Sequence, residues 1–115
     1  MLFRSPLKAA AIQNKAGNFV MPDLAGGAAA LNEISLDANL AGEDPNPTGA
    51  KSYPITTLTW ILAYKEGNSL KAGPIRKALL YLLGPGQSLA DDLGYVPLRG
   101  DILKKAKAAV AKIGA

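Results

Sequence analysis

Read for where its apolar residues fall, the chain changes character at Ala50. From Ile55 to Tyr64 the residues are β-branched, aromatic or aliphatic, and no charge interrupts them. The run is nearly continuous rather than alternating, which predicts one long strand covered on both faces. Pro45, Pro47 and Gly49 bar a helix just before it. Pro54 lacks an N–H and suits a strand's first residue. Lys65-Glu66-Gly67-Asn68 closes the run. On such a strand Trp60 and Tyr64 share a side, and Trp60 is expected to be largely buried in a core.

The residues before this run are patterned more loosely. Ala9-Ala10-Ala11-Ile12-Gln13 and Asn18-Phe19-Val20-Met21 flank Asn14-Lys15-Ala16-Gly17. Asn and Gly supply the positive φ that a tight turn needs, so this stretch predicts a β-hairpin. Pro22 then suits the first turn of a helix, with Asp23 complementing its positive end. Leu24, Ala28 and Leu31 fall on one face of that helix. Gly26-Gly27 inside it costs about 1 kcal/mol per glycine against alanine, so the helix needs tertiary support. Asp37 to Gly49 reads as a polar loop.

After the run the pattern is helical. Pro74 to Leu83 puts Ile75, Ala78, Leu79, Leu82 and Leu83 on one face, and Gly84-Pro85-Gly86 stops the helix. Gln87 to Leu93 predicts a short second helix closed by Gly94. A last helix spans about Asp101 to Ile113, with Ile102, Ala106, Ala109, Val110 and Ile113 as its stripe and Asp101 at its positive end. The fold class is therefore α/β, one long strand and three following helices. A boundary is expected near Gly49 to Tyr53, with residues 1–49 packing poorly on residues 52–115.

At 115 residues, 49% apolar and 19% charged, the composition is that of one globular domain. No apolar run approaches the roughly 20 residues that span a bilayer. Met1 to Pro6 has no apolar core of a signal peptide behind it, and the chain reads as beginning in mid-protein. Neither cysteine nor histidine occurs. That excludes disulfides, thiolate metal sites, Ser-His and Cys-His catalysis and the usual zinc ligands. A net charge of +4 permits an anionic partner without requiring one.

The chemistry-bearing candidates each have a plain structural reading. Lys104, Lys105, Lys107 and Lys112 decorate the last helix. They read as a solvated face, since no aromatic residue lies among them to stack bases, and no nucleic-acid partner is expected. Asp37-x-Asn39-x-x-Gly42 resembles the start of a calcium loop. Ala41 replaces a ligand, however, and Thr48 stands where the bidentate Glu belongs, so a connecting loop is expected. Gly84 to Ser88 lacks the Lys-Ser/Thr of a phosphate-binding loop and reads as a helix–helix turn. Asp91-Asp92 point apart on a helix, and Glu43-Asp44 have no partner base. No catalytic, ligand-binding, cofactor or metal residue is assigned, and no enzyme activity is expected.

Three stretches, in order, resemble a known family. Lys8-Ala9-Ala10-Ala11-Ile12-Gln13-Asn14-Lys15-Ala16-Gly17-Asn18-Phe19-Val20 resembles a segment of the PstS family, the phosphate-binding proteins of the high-affinity phosphate ABC transporter. Ser52-Tyr53-Pro54-Ile55-Thr56-Thr57-Leu58-Thr59-Trp60 resembles its Tyr-Pro-Ile strand. Gly86-Gln87-Ser88-Leu89-Ala90-Asp91-Asp92-Leu93-Gly94-Tyr95-Val96-Pro97-Leu98 resembles its Gly-Gln … Leu-Gly-Tyr-Val-Pro-Leu signature. Met1 to Pro6 finds no counterpart.

The resemblance implies part of a type II periplasmic-binding-protein fold, the C-terminal third of two α/β lobes. Residues 1–49 would be part of the second lobe and residues 50–115 the segment returning to the first. It implies capture of inorganic phosphate outside the cytoplasmic membrane for an ABC permease. The family's phosphate ligands, a Thr-Gly loop, a Ser, an Asp, an Arg and a Ser-Gly-Thr turn, all precede this segment, so none is carried over. Thr56, Thr57 and Thr59 belong to the strand motif, and Arg4, Arg76 and Arg99 match no ligand motif. Phosphate binding by this chain alone is not expected. The rival readings are a fragment of a related phosphatase and a free-standing α/β interaction domain with a basic helix.

Overall fold

A computed structural model describes residues 8–115; Arg4 and the unmatched leader lie outside the described residues. The chain forms two compact units. One runs to Leu58 and takes in Ala90–Pro97; the other joins Thr59–Leu89 to Leu98–Ala115.

The first unit opens with the expected hairpin. β1 (Ile12–Gln13) pairs antiparallel with β2 (Phe19–Val20) in the register Ile12↔Val20 and Gln13↔Phe19. The turn is closed by Asn14 N–H on Asn18 O at 2.8 Å and Gly17 N–H on Asn14 O at 2.9 Å. Gly17 sits at φ 85°, the region that favours glycine.

α1 (Leu24–Leu31) follows. Its N-cap is Asp23, whose carboxylate accepts from Gly26 N–H at 2.7 Å. Pro22 therefore lies before the cap rather than in the first turn, and Asp23 acts through a hydrogen bond as well as its charge. The buried face is Gly26, Gly27, Ala30 and Leu31 rather than Leu24, Ala28 and Leu31. The glycines explain the shift. A Cβ at Gly27 would lie 2.8 Å from Val96 Cγ2, and one at Gly26 3.2 Å from Tyr53 Cβ. The helix thus presents bare backbone to its neighbours, and Tyr53 N–H donates to Gly26 O at 3.0 Å. Ala30, Leu31, Ile34 and Leu36 are among the buried apolar side chains described in this unit.

The expected long strand is not present. Among the described residues the one sheet is β1–β2. Among the described residues no strand forms a ladder with Ile55–Tyr64, where Ile55 N–H donates to Pro45 O at 3.0 Å, and β propensity without a partner ladder does not make a strand. Ile55 turns to φ 65°, which breaks an extended course at its start. Both-face burial fails as well: Ile55 is 70% exposed, Leu62 95% and Tyr64 82%. Trp60, expected in a core, is 47% exposed.

In the second unit α2 (Ala72–Leu82) and α3 (Gly100–Ala111) pack together, with Ala72, Val110 and Ile113 buried. α2 starts two residues earlier than its pattern suggested, so Pro74 stands in its first turn, where a missing N–H costs nothing. Arg76 donates from its guanidinium to Ile113 O. The chain end is tied down by backbone: Gly114 N–H to Lys65 O at 2.7 Å and Gly67 N–H to Ala115 O at 3.0 Å. The expected helix at Gln87–Leu93 is instead a 3-10 helix over Pro85–Leu89. Turns carry the chain on to Gly94, with Leu93 N–H and Tyr95 N–H both bonded to Ala90 O.

The units do not divide at residues 49 to 53. Residues 50–58 pack with the first unit. Bonds from Asn14 to Ser52 O, from Ser52 to Glu33 and from Tyr53 to Gly26 O run across the expected boundary.

Candidate functional site

The side chains that the sequence singles out are engaged in local structure or stand in solvent. Thr56 Oγ1 donates to Tyr53 O at 3.0 Å, and Thr57 Oγ1 to Leu58 O at 3.4 Å. Asp37 accepts from Asn39 N–H and Ala41 N–H at 2.8 and 2.9 Å, so its carboxylate closes its own loop. Asp44 does the same for Asn46 N–H at 3.2 Å. In the Gly84–Ser88 turn, Gly84 N–H bonds to Tyr81 O, Gln87 N–H to Gly84 O and Ser88 Oγ to Pro85 O. These donors face the chain itself. Asp91 and Asp92 are exposed on a turn, and Lys104, Lys105, Lys107 and Lys112 are exposed along and just beyond α3.

The most organised polar cluster lies elsewhere, around residues 48–52. Glu33, two residues past α1, reaches across to this loop. Its carboxylate accepts from Thr48 N–H at 2.9 Å, Thr48 Oγ1 at 3.0 Å and Gly49 N–H at 3.0 Å. Ser52 Oγ completes the set with a short bond to Glu33 Oε1. On the loop's other side stands Asn14, only 5% exposed. Its Nδ2 donates to the carbonyls of Gly49, Ala50 and Ser52 at 3.1, 3.1 and 3.2 Å, while its Oδ1 accepts from Asn18 N–H at 3.0 Å. Asn18 Nδ2 adds a bond to Ala50 O at 3.1 Å. One side of the loop thus gives its carbonyls to Asn14 and the other gives its donors to Glu33.

Sequence reasoning missed this cluster. Asn14 was legible only as a turn residue, and Glu33 lies outside any periodic stretch. Ser52 reads as part of a strand motif. The one usable signal is a hydroxylated residue and a glycine, Thr48-Gly49, directly after a proline.

The donors hold the Glu33 carboxyl below its ordinary value of 4.5, the Ser52 hydroxyl first, against the opposing effect of burial, with Thr48 and Gly49 adding to the lowering. Because the folded value lies below the unfolded one, this contribution is complete above about 4.5 and is lost as pH falls through the lower folded value. The denaturant midpoint should accordingly fall on acidification in that window. Glu33→Gln, which has no charge to lose, should show a flatter profile there; equal profiles for the two proteins would refute this account.

Comparison with known proteins identifies relatives of one kind. The phosphate-binding protein PstS of Xylella fastidiosa (strain 9a5c) is 35% identical over 106 residues, covering 85% of this chain and 28% of the relative. That of Haemophilus influenzae (strain Rd) is 31% identical over 99 residues, covering 84% of this chain and 30% of the relative. The Xylella fastidiosa Temecula1 protein is again 35% identical over 106 residues. No protein-family model matches the chain. The resemblance to PstS read from the residues is therefore shown along most of the chain, which spans under a third of the length of these relatives.

Proposed function

We propose that this PstS-like chain is the C-terminal part of a solute-binding protein that captures inorganic phosphate outside the cytoplasmic membrane and delivers it to an ABC permease. The observation that carries this reading is the 31–35% identity to phosphate-binding proteins over about 85% of the chain. No helix among the described residues is long and apolar enough to cross a membrane.

The chain's own part is scaffold. Tight capture of a strongly hydrated oxyanion needs many converging donors, best supplied by Arg and by backbone N–H groups, inside a cleft that closes. Here Arg76 is bonded to Ile113 O, the hydroxyls of Thr56 and Thr57 to nearby carbonyls, and the loop donors of residues 48–52 to Glu33. Titration calorimetry of the chain at about 0.15 M salt, where attraction to exposed lysines is screened, should give no saturable heat with phosphate. A one-to-one site of micromolar affinity or better would place ligands in this segment after all.

A chimera tests the parent function. This chain is put in place of the aligned 28% of the Xylella fastidiosa relative. The folded chimera is expected to bind phosphate. A chimera that folds and binds none would overturn the proposal.

A further inference from the structure

Loop 48–52 gathers donors around a negative charge that the chain itself supplies. Two consecutive backbone N–H groups, of Thr48 and Gly49, converge with the hydroxyls of Thr48 and Ser52 on the two oxygens of one carboxylate. Consecutive N–H groups turned to one side form an anion-binding concavity. The anion sits flush against backbone: a Cβ on Gly49 would lie 2.5 Å from both Glu33 Oε1 and Ser52 Oγ. Only glycine leaves that approach open.

The arrangement does not depend on Glu33 alone. Asn14 holds the carbonyls of Gly49, Ala50 and Ser52 from the opposite side. Those carbonyls share peptide planes with the N–H groups of Ala50, Lys51 and Tyr53, so Asn14 holds the chain directly after the two donors, and Ser52 N–H on Gly49 O at 3.1 Å closes the turn that opens at Gly49. Pro47 and Ser52, both fully buried, anchor the two ends. Thr48 is exposed, so solvent reaches the donors from its side, and the exposed Lys51 adds a positive charge to the same loop.

We propose that residues 48–52 form a preorganised oxyanion nest with Glu33 as its built-in occupant, and that the nest takes a small external oxyanion, a carboxylate or phosphate, once that side chain is removed. Binding is reversible and needs no step beyond exchanging water for the anion. The nest is independent of the phosphate site proposed for the whole protein.

The test compares Glu33→Ala with the wild-type chain in acetate, in phosphate and in chloride at equal ionic strength. Thermal unfolding and the amide resonances of Thr48 and Gly49 are followed. Glu33→Ala should melt lower than wild type and recover saturably with acetate or phosphate, with both amide resonances moving downfield. Whichever anion acts names the ligand class. Wild type should not respond, because its nest is full; saturable movement of the same two amides in wild type would overturn the proposal. Glu33→Gln keeps the volume and one acceptor oxygen, so it should stay folded and respond weakly. If Glu33→Ala does not fold in chloride, its refolding yield in acetate replaces the melting curve, and recovery there supports the nest. The proposal is overturned if neither anion moves the two amides of Glu33→Ala, if chloride acts as well as acetate, or if refolding fails equally in all three salts.

Discussion

Replacing Asn14 with alanine is expected to lower the free energy of unfolding by about 3 kcal/mol. The side chain is 5% exposed and occupied at both ends of its amide. Nδ2 has two hydrogens for three carbonyls, so one hydrogen is shared. Removing the donors does not cost the same at each acceptor. Gly49 and Ala50 are at least partly open to water, which replaces the lost bonds there. Ser52 is 1% exposed, so its carbonyl is left unpaired and bears the full desolvation cost. Asn18 N–H loses its acceptor too.

Asn14→Asp separates this account from one based on volume. Aspartate fills the same space and keeps the acceptor for Asn18, yet it has no donor and turns a negative charge toward three carbonyls. It should be at least as damaging as alanine. The check is the urea midpoint at unchanged slope. A near-neutral Asn14→Asp would show that shape, and not donation, is what the site needs.

The second large effect is expected at Gly26. A Cβ there would lie 3.0 Å from Met21 O, 3.1 Å from Val20 Cγ1 and 3.2 Å from Tyr53 Cβ. Two of these belong to the segment entering α1, and the third is held by the bond from Tyr53 N–H to Gly26 O at 3.0 Å. Gly26→Val forces two further carbons into this closed space and should cost about 2–3 kcal/mol, the range for overpacking. Gly26→Ala is the instructive control. Alanine gains about 1 kcal/mol of helix propensity over glycine, which opposes the squeeze of one methyl group, so the net change should be small. Thermal melts of the two variants test this. A valine variant as stable as the alanine one would mean that α1 moves away from Tyr53 at little cost.

Which parts were readable in advance follows from how far apart the interacting residues lie. The hairpin was legible because its turn chemistry is local: Asn14, Gly17 and Asn18 meet within four residues. α2 and α3 were legible from the spacing of apolar residues, with ends displaced by one or two positions. The helix expected at Gln87–Leu93 mixed helical composition with Gly and Pro, and a 3-10 helix with turns resulted. Ile55–Tyr64 has the composition of a strand, but a strand is a property of a pair, and no composition reveals whether the partner is at hand. The buried glycines of α1 were visible as a propensity cost and not as the close approach that they permit. The clasp around residues 48–52 escaped because Glu33 finds Ser52 across 19 residues and Asn14 finds it across 38.

Those same separations set an order of events when the chain folds. Closing a loop costs entropy that grows with its length and is lost before the contact repays it. The hairpin turn closes over four residues, the Glu33 contacts over 15 to 19, and the Asn14 contacts over 35 to 38. The hairpin and α1 are therefore expected to organise first, Glu33 to gather the loop next, and Asn14 to lock it last. A late contact is one the transition state lacks, and weakening it speeds unfolding while leaving folding nearly unchanged. Asn14→Ala should accordingly raise the unfolding arm of a chevron plot more than it lowers the folding arm, the smaller folding effect coming from the lost turn contact to Asn18 N–H. The buried amide acts chiefly as a brake on opening, holding the unit closed for longer and helping it little to close.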